Sequence, residues 1–150
     1  MSDIIEYVVR VSPDGSKRWT LNGNLHREDG PAVEEPNGYK EWYLNDKLHR
    51  EGGPAVEWSD GSKEWYLHGK YHREDGPAIE WPNGAKRWYL HGKYHREDGP
   101  ASENSDGRKS WYLHGKQFSE SEWKKEVNKK QTFDGKLIEI DGKRYKLVEI

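Results

Sequence analysis

Four copies of one charged heptapeptide carry the residue types that most often do chemistry. They are His26-Arg27-Glu28-Asp29-Gly30-Pro31-Ala32, His49-Arg50-Glu51-Gly52-Gly53-Pro54-Ala55, His72-Arg73-Glu74-Asp75-Gly76-Pro77-Ala78 and His95-Arg96-Glu97-Asp98-Gly99-Pro100-Ala101, each 23 residues after the last. A second histidine column, His68, His91 and His114, recurs at the same interval. Imidazoles beside carboxylates suggest metal ligation or general acid–base catalysis. A zinc site needs ligand nitrogens about 2.0–2.1 Å from one ion. With strands about 4.8 Å apart and two strands per unit, members of one column lie about 10 Å apart and cannot share a metal. Only a cross-column pair such as His68 and His72, flanking one turn, can approach, and no cysteine or evident third donor accompanies it.

Catalysis fares no better. Acid–base chemistry needs one enclosed constellation with shifted pKa values, and equivalent copies on an open sheet enclose none. Gly-x-Ser-x-Gly, His-Glu-x-x-His and Gly-Lys-Ser/Thr sequences do not occur. The expectation is a non-enzyme without metal or cofactor, in which His26, Arg27, His49, Arg50, His72, Arg73, His95 and Arg96 are structural. In that reading Arg73 pairs with Glu74, Asp75 or an acid of the neighbouring unit. Gly76 supplies unusual backbone angles and Pro77 stiffens the exit.

The elements that hold these residues follow from a tandem repeat. Trp19, Trp42, Trp65, Trp88 and Trp111 keep the 23-residue interval, as do Gly15, Gly38, Gly61, Gly84 and Gly107. Within one unit, Lys63 to Leu67 is β-prone and alternates, with Trp65 and Leu67 on one side and Glu64 and Tyr66 on the other. It ends at His68-Gly69, the counterpart of Asn22-Gly23, a type I′ hairpin signal. Pro77 then breaks pairing, a second strand covers Ala78 to Trp81, and Pro82-Asn83-Gly84 leads onward. Each unit reads as a hairpin with a decorated loop, joined to the next in a continuous meander.

The ends depart from the repeat, as array caps do. Glu6 to Val11 reads as an N-terminal capping strand. After Lys116 the heptapeptide gives way to Gln117-Phe118-Ser119, where a helix starts: Ser119 caps it, Glu122 completes a capping box, and Phe118 and Trp123 stand at hydrophobic-staple positions. The pairs Glu120 with Lys124 and Glu126 with Lys130 support a helix over about Glu120 to Lys130, with Trp123 and Val127 towards the sheet. A hairpin of Lys136 to Ile140 and Lys143 to Ile150 about Asp141-Gly142 follows. The division is therefore residues 1–116, a β-repeat array of an N-terminal strand and about four and a half units, and residues 117–150, a helix and hairpin cap. The fold class is mainly β: an elongated antiparallel β-sheet solenoid of 23-residue hairpin repeats.

Composition narrows the function. Hydrophobic residues make up 31% and charged residues 35%, too polar for a thick core. Eight Trp and nine Tyr, mostly in register with the repeat, point to a thin core built on the aromatic columns. With 25 basic and 27 acidic residues there is no global field to attract nucleic acid or an anionic membrane. The absence of cysteine and of a leader or apolar span suits a cytosolic protein.

The unit resembles the membrane occupation and recognition nexus (MORN) repeats and their divergent bacterial and viral relatives. The Trp-Tyr-Leu-(Asn/His)-Gly-Lys-x-His-Arg-Glu-Asp-Gly-Pro-Ala form in particular is similar to repeat proteins of large phages and giant DNA viruses. The resemblance covers about Val8 to Lys116; the loop between His72 and Gly76 is longer than in the usual unit. It implies an elongated twisted sheet that binds protein or lipid, with no catalytic residues to carry over. The most concrete function it implies is a phage-encoded inhibitor or adaptor acting in the host cytosol on a host protein such as a defence component.

Regular columns report scaffold, and irregular ones are where a specific surface can be written. The candidate binding residues are therefore Glu35, Trp58, Trp81 and Asn104 in one column and Tyr39, Ser62, Ala85 and Arg108 in another. The leading expectation is a binding module for a protein partner. The alternatives are a protein that sequesters a nucleotide or other small ligand, and a structural component that self-assembles edge to edge.

Overall fold

A computed structural model describes residues 6–133, 137–140 and 143–146. The chain is mainly β, with a long antiparallel sheet of many short strands, one C-terminal helix and no closed barrel. Strand β1 (Val8–Val11) pairs with β2 (Lys17–Leu21), followed by β3 (Asn24–Leu25) and β4 (Val33–Glu34). The second unit supplies β5 (Lys40–Glu41), β6 (Tyr43–Leu44), β7 (Lys47–Leu48) and β8 (Val56–Glu57). The third supplies β9 (Lys63–Glu64), β10 (Tyr66–Leu67), β11 (Lys70–Tyr71) and β12 (Ile79–Glu80), and the fourth β13 (Lys86–Arg87), β14 (Tyr89–Leu90), β15 (Lys93–Tyr94) and β16 (Ser102–Glu103). Strands β17 (Lys109–Leu113) and β18 (Lys116–Phe118) end the array, before helix α1 (Glu120–Phe133) and a paired β19 (Leu137–Ile140) and β20 (Lys143–Lys146). The hairpin turn expected at Asp141-Gly142 lies outside the described residues, as do Lys136 and 147–150.

The expected single strand through each tryptophan is in fact two. In the middle units it breaks at Trp42, Trp65 and Trp88, and the halves take different partners. Before the break, β9 lies between β8 and β12 in the long sheet, ordered β1-β2-β4-β5-β8-β9-β12-β13-β16-β17-β18. After it, β10 pairs only with β11 in a separate two-residue hairpin. The break is made at Trp65 itself, whose N–H goes to the Ala78 carbonyl while its own carbonyl accepts the His72 N–H. The structure is thus two rows, a long sheet and a file of small hairpins, rather than one meander. Paired backbone bonds stitch the file together: Gly69 N–H to the Leu48 carbonyl with Arg50 N–H to that of Tyr66, and Gly92 N–H to the Tyr71 carbonyl with Arg73 N–H to that of Tyr89.

The turns follow the sequence chemistry. His68 (φ +50°) and Gly69 (φ +79°) are both left-handed, as type I′ requires. On the opposite margin Asp14, Asn37, Asp60, Asn83 and Asp106 each accept the N–H two residues on, which turns the chain into the next strand.

The core corrects the expectation of an aromatic one. The fully covered residues are Ala32, Ala55, Ala78 and Ala101, at 0% exposure, with Val33, Val56 and Ile79 beside them. The tryptophans of the repeat stay half-buried. Where a strand changes partners the backbones crowd, and a methyl group fits where an indole does not. Helix α1 starts as expected: Ser119 and Glu122 exchange capping bonds, and Lys124 reaches Glu120 at 2.6 Å. Trp123 and Val127 are buried, and the Trp123 indole N–H donates to the Arg96 carbonyl at 3.0 Å, tying the helix to the last heptapeptide. Glu126 pairs with Lys129 at 2.8 Å; the expected partner Lys130 has its side chain outside the described residues.

Candidate functional site

The long sheet offers two sides, distinguished by its register. Paired across the strands run Lys17, Glu34, Lys40, Glu57, Lys63, Glu80, Lys86, Glu103 and Lys109, opposite charges alternating throughout. This is the joint side. The adjacent row, Arg18, Val33, Glu41, Val56, Glu64, Ile79, Arg87, Ser102 and Ser110, points the other way because side chains alternate along a strand. The second row belongs to the turn side.

On the joint side the heptapeptide is a closed set of bonds. The Arg73 guanidinium lies 4.0 Å from the Trp65 ring centre, a cation–π contact, and donates to Asp75 (2.9 Å), the Pro77 carbonyl (3.2 Å) and Glu80 (2.9 Å). Arg27 and Arg96 repeat all of these bonds; Arg50 lacks the aspartate, because Gly52 stands there. The arginines thus pair within their own unit, not with the neighbouring one. Gly76 is not in a left-handed conformation, contrary to expectation. It is required because a Cβ there would sit 2.8 Å from the Arg73 guanidinium carbon.

The histidines pair between units. His72 meets His91, the turn residue of the next unit, with ring centres 4.4 Å apart, and not His68; His49 with His68 and His95 with His114 repeat this. The His91 N–H donates to Nδ1 of His72 at 3.2 Å, so each buried imidazole of the first column holds the following hairpin by its backbone. A donated bond at Nδ1 puts the proton of a neutral ring on Nε2, and in His95 that atom faces Glu97 at 3.5 Å. His95, Glu97 and His114 therefore do bring three donor atoms within 4.8 Å, a third donor that the spacing did not reveal. Nδ1 of His95 accepts the His114 N–H at 3.1 Å while Nε2 faces Glu97, so the imidazole bridges two units. Successive heptapeptides wall open clefts, one of about 720 Å³ lined by Arg73, Asp75, Trp88, Arg96 and Asp98.

On the turn side the two irregular columns prove to be partners. Glu35 bonds through its N–H to the Tyr39 carbonyl, Trp58 to Ser62, Trp81 to Ala85 and Asn104 to Arg108, each closing one turn. Two of the eight candidates fail as surface residues: Ser62 and Ala85 are 3% and 7% exposed, small side chains held beneath the turn. The others gather in two clusters. Trp58, 44% exposed, packs on Tyr39 with ring centres 4.9 Å apart, and its indole N–H donates to Glu64 at 2.9 Å. Further along, Arg87 lies over Trp81 at 5.2 Å and donates to Asn104 at 2.6 Å, with Arg108 paired to Asp106 beside it. Glu35 makes its turn bond and adds its charge to the surroundings of Tyr39.

The residues missed by sequence reasoning are those at the centre of these clusters. Positions 18, 41, 64, 87 and 110 read Arg, Glu, Glu, Arg, Ser, an irregular column directly before the conserved-looking tryptophan. Glu64 collects the Tyr66 and Tyr71 hydroxyls at 2.9 Å each as well as Trp58. From there Tyr66, Tyr71, Tyr89, Tyr94 and Tyr112 stack with ring centres 4.2–5.1 Å apart along the hairpin file. Burial, then the bonds to Tyr71 and Glu64, pushes the Tyr66 hydroxyl far above the usual tyrosine range. Burial and the bond to Glu41 do the same for Tyr39. These phenols stay protonated donors. No family model, curated protein or solved structure matched the chain in the three comparisons made. Among the described residues no helix is long and apolar enough to cross a membrane.

Proposed function

We propose that the chain is a MORN-like, non-enzymatic module that binds a protein partner through the turn side. The observation that carries this reading is the exposed Trp58, braced by Tyr39 and Glu64, in file with the Trp81, Arg87, Asn104 and Arg108 cluster. Tryptophan, tyrosine and arginine dominate the energetics of protein interfaces, and side chains already held in place lose little entropy on binding. The face is acidic at Glu41 and Glu64 and basic at Arg87 and Arg108, so the partner presents the reverse order. Its likeness to phage repeat proteins supports a phage inhibitor or adaptor whose partner is a host protein in the cytosol.

Capture from host lysate tests this. The wild-type chain should enrich a partner that Trp58→Ala and Arg87→Glu both lose while keeping the wild-type circular dichroism. Equal capture by all three rejects the turn side.

A second reading, sequestration of a planar ligand such as a nucleotide, draws on the file of tyrosine rings, aromatic faces of the kind on which bases stack. Calorimetry with nucleotides and no protein partner separates the two: saturable stoichiometric heat favours sequestration.

A further inference from the structure

The two ends of the long sheet differ. At one end α1 packs on β17 and β18 and buries Trp123 and Val127. At the other, among the described residues β1 pairs only with β2, and Val8, Val9 and Val11 are 57%, 45% and 64% exposed. The direction of the β1 backbone follows from its neighbour. Trp19 gives its N–H to Ala32 and takes that of His26, so its polar groups face away from β1. Val9, directly opposite Trp19, is then in a non-hydrogen-bonded pair, and it aims its own N–H and C=O at the open edge, as do Tyr7 and Val11.

The edge also holds an unbalanced charge. Arg10 stands directly across from Arg18, an unfavourable like-charge pair; the Asp14 carboxylate acts on Arg18 from a distance, and among the described residues no carboxylate lies within 4.0 Å of either guanidinium. A strand that docks here must place outward residues against outward residues and bring an acid opposite Arg10.

We propose that this strand is β1 of a second copy, paired antiparallel about a two-fold axis through Val8. In that register Glu6 of each copy faces Arg10 of the other, Tyr7 faces Val9, and Val8 faces Val8. The row Arg18, Arg10, Glu6 supplies the missing carboxylate, and the aromatic and β-branched residues form favoured cross-strand pairs. The other permitted registers lack this match: centred on Val9, Arg10 faces Val8, and centred on Arg10 it faces itself. An isologous contact uses up the edge on both copies, so assembly stops at two.

The chain has no cysteine, which permits a clean register test. Opposed Val8 residues in a non-hydrogen-bonded pair lie about 4.5 Å apart between Cα atoms, within disulfide reach. Val8→Cys should oxidise to a covalent dimer faster than Val9→Cys. In sedimentation the wild-type chain should be a dimer that dissociates on dilution. Val9→Pro, which removes an N–H the fold does not use, should be a monomer with unchanged circular dichroism. Glu6→Arg and Arg10→Glu should each weaken the dimer by roughly tenfold or more, and their mixture should restore it as a heterodimer. A wild-type monomer at millimolar concentration, a Val9→Pro dimer of full strength, or faster cross-linking through Val9→Cys would overturn the proposal.

Discussion

The joint side and the turn side are built on the same strands, one residue apart, yet one repeats without variation in its arginines and the other varies along the array. On the joint side each arginine has its tryptophan, its Glu and its proline carbonyl within the unit. These arginines already have their partners inside the chain. On the turn side the tethers are as short, but they brace the exposed Trp58 and the half-buried Trp81, and the tethering residue switches from Glu64 to Arg87 between adjacent units. The lesson is that repetition marks where bonds are spent within the chain, and irregularity where side chains are held ready for something else.

The comparison breaks most directly through Arg73. Arg73→Ala removes the cover of Trp65 and leaves Glu80 and the Pro77 carbonyl without their donor, and should cost about 2–4 kcal/mol in denaturant unfolding. Trp58→Ala on the other side should cost under about 1 kcal/mol, because the indole is half in water, while abolishing partner capture. Equal losses of stability would erase the distinction between the sides. Next in size is Gly76→Ala. Its backbone is ordinary, so the whole effect is the methyl group expelling the Arg73 guanidinium, about 1–3 kcal/mol. In an Arg73→Ala background the same substitution should cost almost nothing, and a double-mutant cycle measures that coupling.

How far the sequence foretold this differs between fold and site. The 23-residue period, the I′ turns at Asn22-Gly23 and His68-Gly69, and the cap at Ser119 were legible because each is a local rule with one solution. The break at Trp65 was not, since alternation over Lys63 to Leu67 suits one strand or two, and only the bonds from Ala78 and His72 decide. Burial misled for a similar reason: large aromatic area suggests a core, whereas the crowded axis admits Ala78 and leaves Trp65 to be covered by Arg73. At the site, irregularity pointed to Trp58, Trp81, Asn104 and Arg108 but equally to Ser62 and Ala85, which lie buried while Tyr39 and Arg108 of the same column do not. The Glu64 and Arg87 column had the same signal and was hidden by its place inside the regular strand.

Acid should sharpen the contrast. Burial, and then the nearby His68, holds the His49 imidazole below its usual value of 6.5, against a weaker opposing pull from Glu51. The native state therefore binds fewer protons than the unfolded one, and the stability from this group is present above pH 6.5 and lost as pH falls through the folded value. Protonation also turns Nδ1 into a donor and ends the bond from the His68 N–H. Amide exchange at His68 should accelerate between pH 7 and pH 5, and His49→Asn should flatten that profile. The turn-side bond from the Trp58 N–H to Ser62, which has no histidine partner, should exchange without that added dependence.

The smallest effect tests whether the joint side is optimised copy by copy. Gly52→Asp restores the heptapeptide of the other three units and offers Arg50 the aspartate that Arg73 has. By sequence alone it should stabilise. The backbone argues otherwise: Gly52 has φ +74°, a left-handed conformation that Asp29, Asp75 and Asp98 do not adopt. An aspartate held there is strained by roughly 1 kcal/mol. The pair it gains is solvent-exposed, as with Asp75 at 85% side-chain exposure, and such pairs contribute little. The thermal midpoint should stay level or fall slightly. A clear rise would mean that the loop can relax to the backbone of its neighbours, and that the second unit differs from them by its glycine alone.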